Sequence, residues 1–297
     1  MTENNPFKSG YVSIVGRPNV GKSTLVNHLV GAKLSIVTPR PQTTRTTVRG
    51  ILTTDEAQII FLDTAGIHKP KDRLGEYMVS EAKKTFADAN IIYLMVETVS
   101  PGAQELQLIE ELKHIKKPVF LLINKVDRVP KGTILPVIDA YQDLMKFDEI
   151  VPLSALEGDN IDTLLKLTVD YLAEGPCFFP PDITSDQIER EFISEFIREK
   201  IYLNTYEEIP YSTAVVIEDM NEREAGGAYI RAVIYVEKDS QKGIIIGKGG
   251  EMIKKIGEMA RRDIEEFMGY KVFLELHVKV EKGWRKEIKS LRKLGYT

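Results

Sequence analysis

The chain has 297 residues, 43% of them hydrophobic and 28% charged, with a formal net charge of −4. That length fits two domains of ordinary size, and the composition is that of a folded protein with buried cores, which excludes the fibrous and disordered classes. A single cysteine, Cys177, rules out an intrachain disulfide and a cysteine-based zinc site, and the scattered histidines show no metal-ligand spacing; no apolar stretch approaches the roughly 18 residues of a spanning helix, so a cytoplasmic protein is expected.

In chain order, the first predicted strand is Tyr11–Val15. It runs into Gly16-Arg17-Pro18-Asn19-Val20-Gly21-Lys22-Ser23, which fits G-x-x-x-x-G-K-[ST], and then into a helical pattern over Lys22–Leu29 that includes Thr24. Strand, glycine loop and helix start form a phosphate cradle. Backbone N–H groups approach the phosphates, the helix N-terminus adds positive potential, Lys22 neutralises the β/γ oxygens and the Ser23 hydroxyl ligates Mg²⁺. The segment Thr38–Thr47 is polar and lacks apolar periodicity. Such a loop orders when Mg²⁺ and a γ-phosphate give a hydroxyl something to bind; Thr44 is the expected metal contact, with Thr43 the alternative.

Strands follow over Val48–Leu52 and Gln58–Leu62, the second ending at Asp63-Thr64-Ala65-Gly66. Asp63 can hold Mg²⁺ through water, and the Gly66 N–H can meet the γ-phosphate. Lys22, Thr44 and Gly66 are therefore the expected catalytic groups, with Ser23, Thr44 and Asp63 at the metal. A helix is predicted over Arg73–Ala87, a strand over Ile91–Val96, a helix over Ala103–His114 and a strand over Val119–Ile123.

That last strand leads into Asn124-Lys125-Val126-Asp127. The Asp127 carboxylate can accept from both N1–H and the 2-amine of guanine, whereas adenine offers an acceptor at N1 and no 2-amine, so the carboxylate would be left desolvated and unpaired. Asn124 braces the loop and the Lys125 stem covers one face of the base. After a helix over Ile134–Met145 and a strand over Ile150–Leu153, Ser154-Ala155-Leu156 can supply backbone N–H to the guanine oxygen, and a helix over Ile161–Leu172 follows. The alternation predicts a mostly parallel sheet covered by helices, with these motifs at the carboxyl ends of its strands. The expected ligands are GTP or GDP with Mg²⁺. Ile67 stands where many small GTPases carry the glutamine that orients the attacking water; an isoleucine is expected only to pack, and hydrolysis to be slow until another group places the water.

Three prolines in Gly175–Pro181 stop regular structure and mark the domain boundary, giving a nucleotide domain over 1–174, a linker over 175–185 and a second domain over 186–297. The second half reads as a helix over Asp186–Tyr202, strands over Ser212–Glu218 and Ala228–Val236, helical segments within Ser240–Phe267, a strand over Lys271–Val280 and a basic helix over Trp284–Lys293. This α-β-β-α-α-β order is that of a small α+β module. Charge is unevenly placed: Asp182–Asp239 holds 6 Lys+Arg against 14 Asp+Glu, and Ser240–Thr297 holds 14 against 8. Within the basic part, Gly243-Ile244-Ile245-Ile246-Gly247-Lys248-Gly249-Gly250 has the G-x-x-G turn with which KH domains clamp about four nucleotides of single-stranded RNA or DNA. Lys248 would neutralise phosphate, and Lys254, Arg261, Arg285 and Lys286 lie on the basic faces beside it. Met252, Ile253, Ile256, Met259, Ala260, Ile264 and Phe267, at helical spacing, are expected in the core.

Taken together, G-R-P-N-V-G-K-S, P-Q-T-T-R, D-T-A-G, N-K-V-D and S-A-L, joined to G-I-I-I-G-K-G-G, resemble the bacterial Era GTPases over nearly the whole chain. The resemblance implies a P-loop α/β GTPase domain plus a type II KH domain. It also implies binding to the 3′ region of 16S ribosomal RNA, a role in maturation of the small (30S) subunit, and peripheral contact with the inner membrane. A monomer is expected. A K⁺ held beside the phosphates by Asn19 and the first switch is a further expectation from related GTPases with a P-N-x-G-K-S loop. GTP would order Thr38–Thr47 and Gly66–Ser80 and so change how the domains pack and how freely the basic face meets RNA. Two other classes compete: a P-loop kinase or ATPase, opposed by Asn124 to Asp127, and an RNA-binding module with a vestigial nucleotide site, opposed by Lys22, Ser23 and Asp63.

Overall fold

In the computed structural model, residues 6–38, 40, 43–222 and 226–296 are described. Pro39, Pro41 and Gln42 of the threonine-rich segment lie outside the described residues. The chain forms two compact units. The first comprises the described residues up to 35 with 44–69 and 78–186; the second comprises 36–43, 70–77 and 187–296.

The sheet of the first unit contains β1 (Lys8–Val15), β2 (Val48–Thr53), β3 (Ala57–Asp63), β4 (Ile91–Glu97), β5 (Val119–Asn124) and β6 (Glu149–Leu153), in the order β2-β3-β1-β4-β5-β6. All neighbours are parallel except β2, which pairs antiparallel with β3. The helices are α1 (Lys22–Val30), α2 (Arg73–Asp88), α3 (Ala103–Leu112), α4 (Ile134–Gln142) and α5 (Ile161–Tyr171). Period-2 alternation sorts each strand between two cores. Ile91, Tyr93 and Met95 of β4 pack with Leu25, Val26 and Leu29 of α1 and Leu164 of α5. Ile92, Leu94 and Val96 pack with Leu108, Ile109 and Leu112 of α3 and Tyr141 of α4. Burial on both faces explains why the central strands read as unbroken apolar runs. Both α3 and α4 end earlier than expected because their last turns tighten: Ile115 N–H donates to the Leu112 carbonyl at 3.0 Å and Leu144 N–H to that of Tyr141 at 3.0 Å.

Residues 175–186 carry no helix or strand, as the prolines require, yet they are fastened down. The fully buried Gln58 accepts from the N–H groups of Phe178 (2.7 Å) and Phe179 (2.9 Å) and donates to the Phe179 carbonyl (2.8 Å). Ile51 N–H donates to Thr184 at 2.8 Å, and Arg49 pairs with Asp186 at 2.5 Å.

In the second unit, α6 (Glu189–Asn204), β7 (Ala214–Glu222), β8 (Ala228–Val236), α7 (Asp239–Ile246), α8 (Glu251–Met268) and β9 (Val272–Val280) follow the expected order, ending in α9 (Ile288–Lys293). β8 lies between an antiparallel β7 and a parallel β9. On α8 only Ile256, Ala260 and Ile264 of the expected stripe are buried, while Phe267 is 40% exposed and packs on Phe192 and Phe196. The basic terminal helix is shorter than expected. Trp284 is fully buried outside it, donating through Nε1 to the Ser212 carbonyl at 3.0 Å and stacking on Tyr296. Among the described residues no helix is long and apolar enough to cross a membrane.

Candidate functional site

In the sheet β1 lies between β3 on one side and β4 on the other, and the loop Gly16 to Gly21 leaves its carboxyl end at this switch in strand order. Gly21 has φ 109°, and a Cβ there would collide with the Asn124 amide, so the loop can close only around glycine. Lys22 opens α1, is 6% exposed, and donates back to the carbonyls of Arg17 (2.9 Å) and Gly16 (3.4 Å). Burial pushes its ammonium down to about 8, with the Asp63 charge acting in the opposite sense.

Three oxygen donors converge beside it. Ser23 Oγ donates to Asp63 Oδ2 at 2.8 Å, Thr44 Oγ1 donates to the same oxygen at 3.3 Å, and the two hydroxyls are 3.0 Å apart. Burial raises the Asp63 carboxyl, opposed by Lys22 and by the Ser23, Ser35 and Thr44 hydroxyls, and Oδ1 is buried without a hydrogen bond of normal geometry. An all-oxygen donor set with an orphaned carboxylate oxygen suits a hard cation such as Mg²⁺. Thr44, 7% exposed, is the threonine brought to this cluster; the Thr43 carbonyl instead accepts from Arg198 within the second unit.

The loop after β3 is tied to the phosphate loop. Thr64 Oγ1 donates to the Ile14 carbonyl at 2.8 Å, Ile67 N–H to that of Gly16 at 3.0 Å, and His68 Nδ1 lies 2.7 Å from the Gly66 carbonyl. The Ile67 side chain packs against the α3/α4 core, the role expected of it. Arg17 and Val20 turn away from the crevice: Arg17 Nε pairs with the buried Glu105 of α3 at 2.5 Å and Val20 enters the core. Glu105 gave no motif in the sequence, because its partner lies on a different element.

At the base end, Asn124 is 3% exposed and links three loops, donating to the Val20 carbonyl at 2.7 Å and accepting from Ala155 N–H at 2.9 Å. Lys125, with φ 68°, donates to the Asn19 carbonyl at 2.7 Å and pairs with Glu97 at the end of β4, a partner the sequence did not disclose. Ser154 Oγ donates to Asp127 Oδ1 at 2.6 Å and so aims the carboxylate; Leu156 is 63% exposed, and the Ala155 N–H is already engaged by Asn124.

In the second unit, α7 and α8 are separated by Gly247 to Gly250. Gly247 has φ 73° and ψ 174°, a region only glycine occupies readily, and a Cβ there would lie 2.7 Å from that of Met252. Lys248 and Gly249 at the tip are exposed, as are Gly243, Lys254, Arg261 and Lys286, while Ile246 and Gly250 are half-buried. Beyond the tip a groove of about 280 Å³ runs between α8 and β9, with Ile253, Leu274 and Leu276 as its apolar wall and Lys254, Glu258 and Arg261 at its edge. Ile253, expected in the core, lines this groove, because Gly257 beside it offers no side chain to close the gap. Leu274 and Leu276 were hidden within an ordinary strand pattern. Arg285 is turned inward, with Nη2 2.7 Å from Glu237 and Nη1 3.4 Å from Asp72.

The first of these sites is a P-loop GTPase centre and the second a KH turn, and their combination on one chain defines a nucleotide-hydrolysing protein with a nucleic-acid-binding module. Family models agree with both halves: "50S ribosome-binding GTPase" matches residues 11–125 and "KH domain" matches 208–285. GTPase Era of Ruminiclostridium cellulolyticum is 51% identical over 291 residues, covering 98% of each chain. The chain belongs to the Era GTPase family. A crystal structure of Era in complex with MgGDPNP and nucleotides 1506–1542 of 16S ribosomal RNA superposes with TM-score 0.95 at 42% identity, covering 98% of this chain and 99% of that one. A tyrosine-to-alanine variant of Aquifex aeolicus Era bound to GDP and AlF4⁻ also gives 0.95 at 42% identity, covering 98% and 100%.

Proposed function

We propose that this protein hydrolyses GTP with Mg²⁺ and couples the nucleotide state to single-stranded RNA at the 3′ end of 16S ribosomal RNA, acting as a monomer in the cytoplasm during maturation of the small subunit. The observation that carries the reading is the convergence of Ser23, Thr44 and the orphaned Asp63 oxygen beside a buried Lys22. The Era complex with MgGDPNP and 16S nucleotides supports both ligands.

Within the crevice, Asp127 and Asn124 select guanine, the Gly16 to Ser23 backbone and Lys22 hold the phosphates, and Thr44 and Gly66 meet the γ-phosphate region. Mg²⁺, when bound by Ser23 and Thr44 and through water by Asp63, neutralises charge developing on the β- and γ-oxygens. Lys22, its ammonium pushed down to about 8 by burial, is held more firmly in its charged form when phosphate lies beside it. Ile67 leaves the attacking water without an amide to orient it, which keeps basal turnover slow. In the second unit, bases lie against the apolar groove wall while Lys248, Lys254 and Arg261 meet phosphates.

The family description that names the 50S subunit matches only part of the G domain, whereas the relatives that match along the whole chain include one bound to small-subunit RNA. Phosphate release from GTP and from ATP, with Mg²⁺ and with EDTA, tests the reaction: turnover is expected only with GTP and Mg²⁺. Equal turnover of ATP would reassign the protein to the ATPases. Binding of a 16S 3′-end oligonucleotide against its complement tests the RNA, with equal affinity counting against the assignment.

A further inference from the structure

Asn27 stands one turn after Ser23 on α1 and reaches the stretch that follows the helix. Its side-chain oxygen accepts from the N–H groups of Leu34 and Ser35, each at 2.9 Å, and its amide donates to the Ser35 carbonyl at 2.9 Å. This clamp uses only the backbone of Ser35, so it would hold an alanine equally well. The hydroxyl is left over from it. Ser35 is 4% exposed and, among the described residues, its Oγ makes no hydrogen bond of normal geometry, although it lies beside the Asp63 carboxylate and helps to sustain that charge. A buried hydroxyl without a full partner is costly to keep, and alanine would occupy the place without the desolvation.

Asp63 shows the matching deficit. Its Oδ2 accepts from Ser23 and Thr44, while Oδ1 is buried and lacks a bond of normal geometry among the described residues. A carboxylate oxygen and a neighbouring hydroxyl, both buried, are therefore short of a donor in the same place. Mg²⁺ is held by few side chains and keeps several of its waters, and a metal-bound water is a stronger donor than a free one. One such water carries two protons, one for Asp63 Oδ1 and one for Ser35 Oγ, and a hydroxyl that accepts can still donate its own proton to the carboxylate. Ser23, which opens the same helix that carries Asn27, brings the metal to this side of Asp63.

We propose that Ser35, set in place by Asn27, is a positioning residue for the metal of the GTPase centre: its hydroxyl and Asp63 Oδ1 together hold one water of the Mg²⁺ shell. The inference rests on the reading of that centre given above, and the experiment separates the two. Mn²⁺, which takes the same oxygen ligands, is titrated into the GDP complex and followed by electron paramagnetic resonance in wild type, Ser35→Ala, Asn27→Ala and Ser23→Ala. Release of a fluorescent GDP is timed in Mg²⁺ and in EDTA, and GTP turnover is followed over a Mg²⁺ titration. Ser35→Ala is expected to weaken Mn²⁺ binding about tenfold, the effect usual for a side chain that orients a metal-bound ligand. GDP release should quicken severalfold in Mg²⁺ and stay near the wild-type rate in EDTA. Turnover should fall at limiting Mg²⁺ and recover at saturating Mg²⁺, a rescue that a damaged fold would not show. Asn27→Ala keeps the hydroxyl but frees the backbone that carries it, and should cost about threefold in Mn²⁺ affinity. Wild-type Mn²⁺ affinity in Ser35→Ala would overturn the proposal, as would GDP release quickened equally in Mg²⁺ and in EDTA. Mn²⁺ affinity that survives Ser23→Ala would remove the reading of the metal centre itself; affinity lost there but intact in Ser35→Ala removes only the role of Ser35.

Discussion

At Asp127 one carboxylate decides the base. Its Oδ1 is aimed by the Ser154 hydroxyl, and it would accept two bonds from guanine. Asp127→Asn keeps the shape but replaces an acceptor pair by an acceptor and a donor, at a loss of about 3 kcal/mol, or roughly a hundredfold in GTP affinity. Xanthosine triphosphate, whose C2 carbonyl accepts where the guanine amine donates, should gain affinity in the same variant; competition against a labelled GTP analogue reads both. Asp63→Asn should leave nucleotide binding within a fewfold but reduce kcat about a hundredfold and raise the Mg²⁺ requirement, measured by phosphate release over a Mg²⁺ titration. The glutamine missing at Ile67 leaves room for a cation to supply positive charge, and the P-N-x-G-K-S loop points to K⁺ near Asn19. Turnover should be faster in K⁺ than in Na⁺ and the difference lost in Asn19→Ala; equal rates would remove K⁺ from the account.

At the scale of the element, the motifs were legible because each sits at a junction that sequence marks: an apolar run, a glycine or a charged residue at its end, then a helical pattern. The central strands showed as runs because both faces are buried, and the turn after α7 showed through its glycines. Gly247→Ala forces a side chain into the φ 73°, ψ 174° conformation, at about 1–3 kcal/mol, and should weaken RNA binding roughly tenfold while leaving GTP turnover unchanged. Lys248→Ala should weaken binding to all sequences alike and lower the salt dependence by about one charge. What the sequence did not show is the polar chemistry joining elements. Gln58 holds Phe178 from 120 residues away and Arg198 holds Thr43 from 155, and no periodicity reports such pairings. The groove wall was misread for a related reason: Ile253 keeps the spacing of a core residue, and only the juxtaposition of Gly257 with β9 turns it outward.

For the whole molecule, a net charge of −4 conceals a basic C-terminal region, and screening over about 10 Å makes the local balance the relevant one for RNA. The two functional sites are far apart in sequence and lie in different units of the chain. Linkage demands that any effect of nucleotide on RNA affinity be matched by an equal effect of RNA on nucleotide affinity. A switch of ordinary size, about 1–3 kcal/mol, corresponds to roughly five- to 150-fold. The most direct test measures the affinity of a 16S 3′-end oligonucleotide for the protein with GDP and with a non-hydrolysable GTP analogue, and the affinity of both nucleotides with and without that oligonucleotide. The account predicts about a tenfold difference between the nucleotides and the same factor in the reciprocal experiment; identical RNA affinity in the two nucleotide states would contradict it.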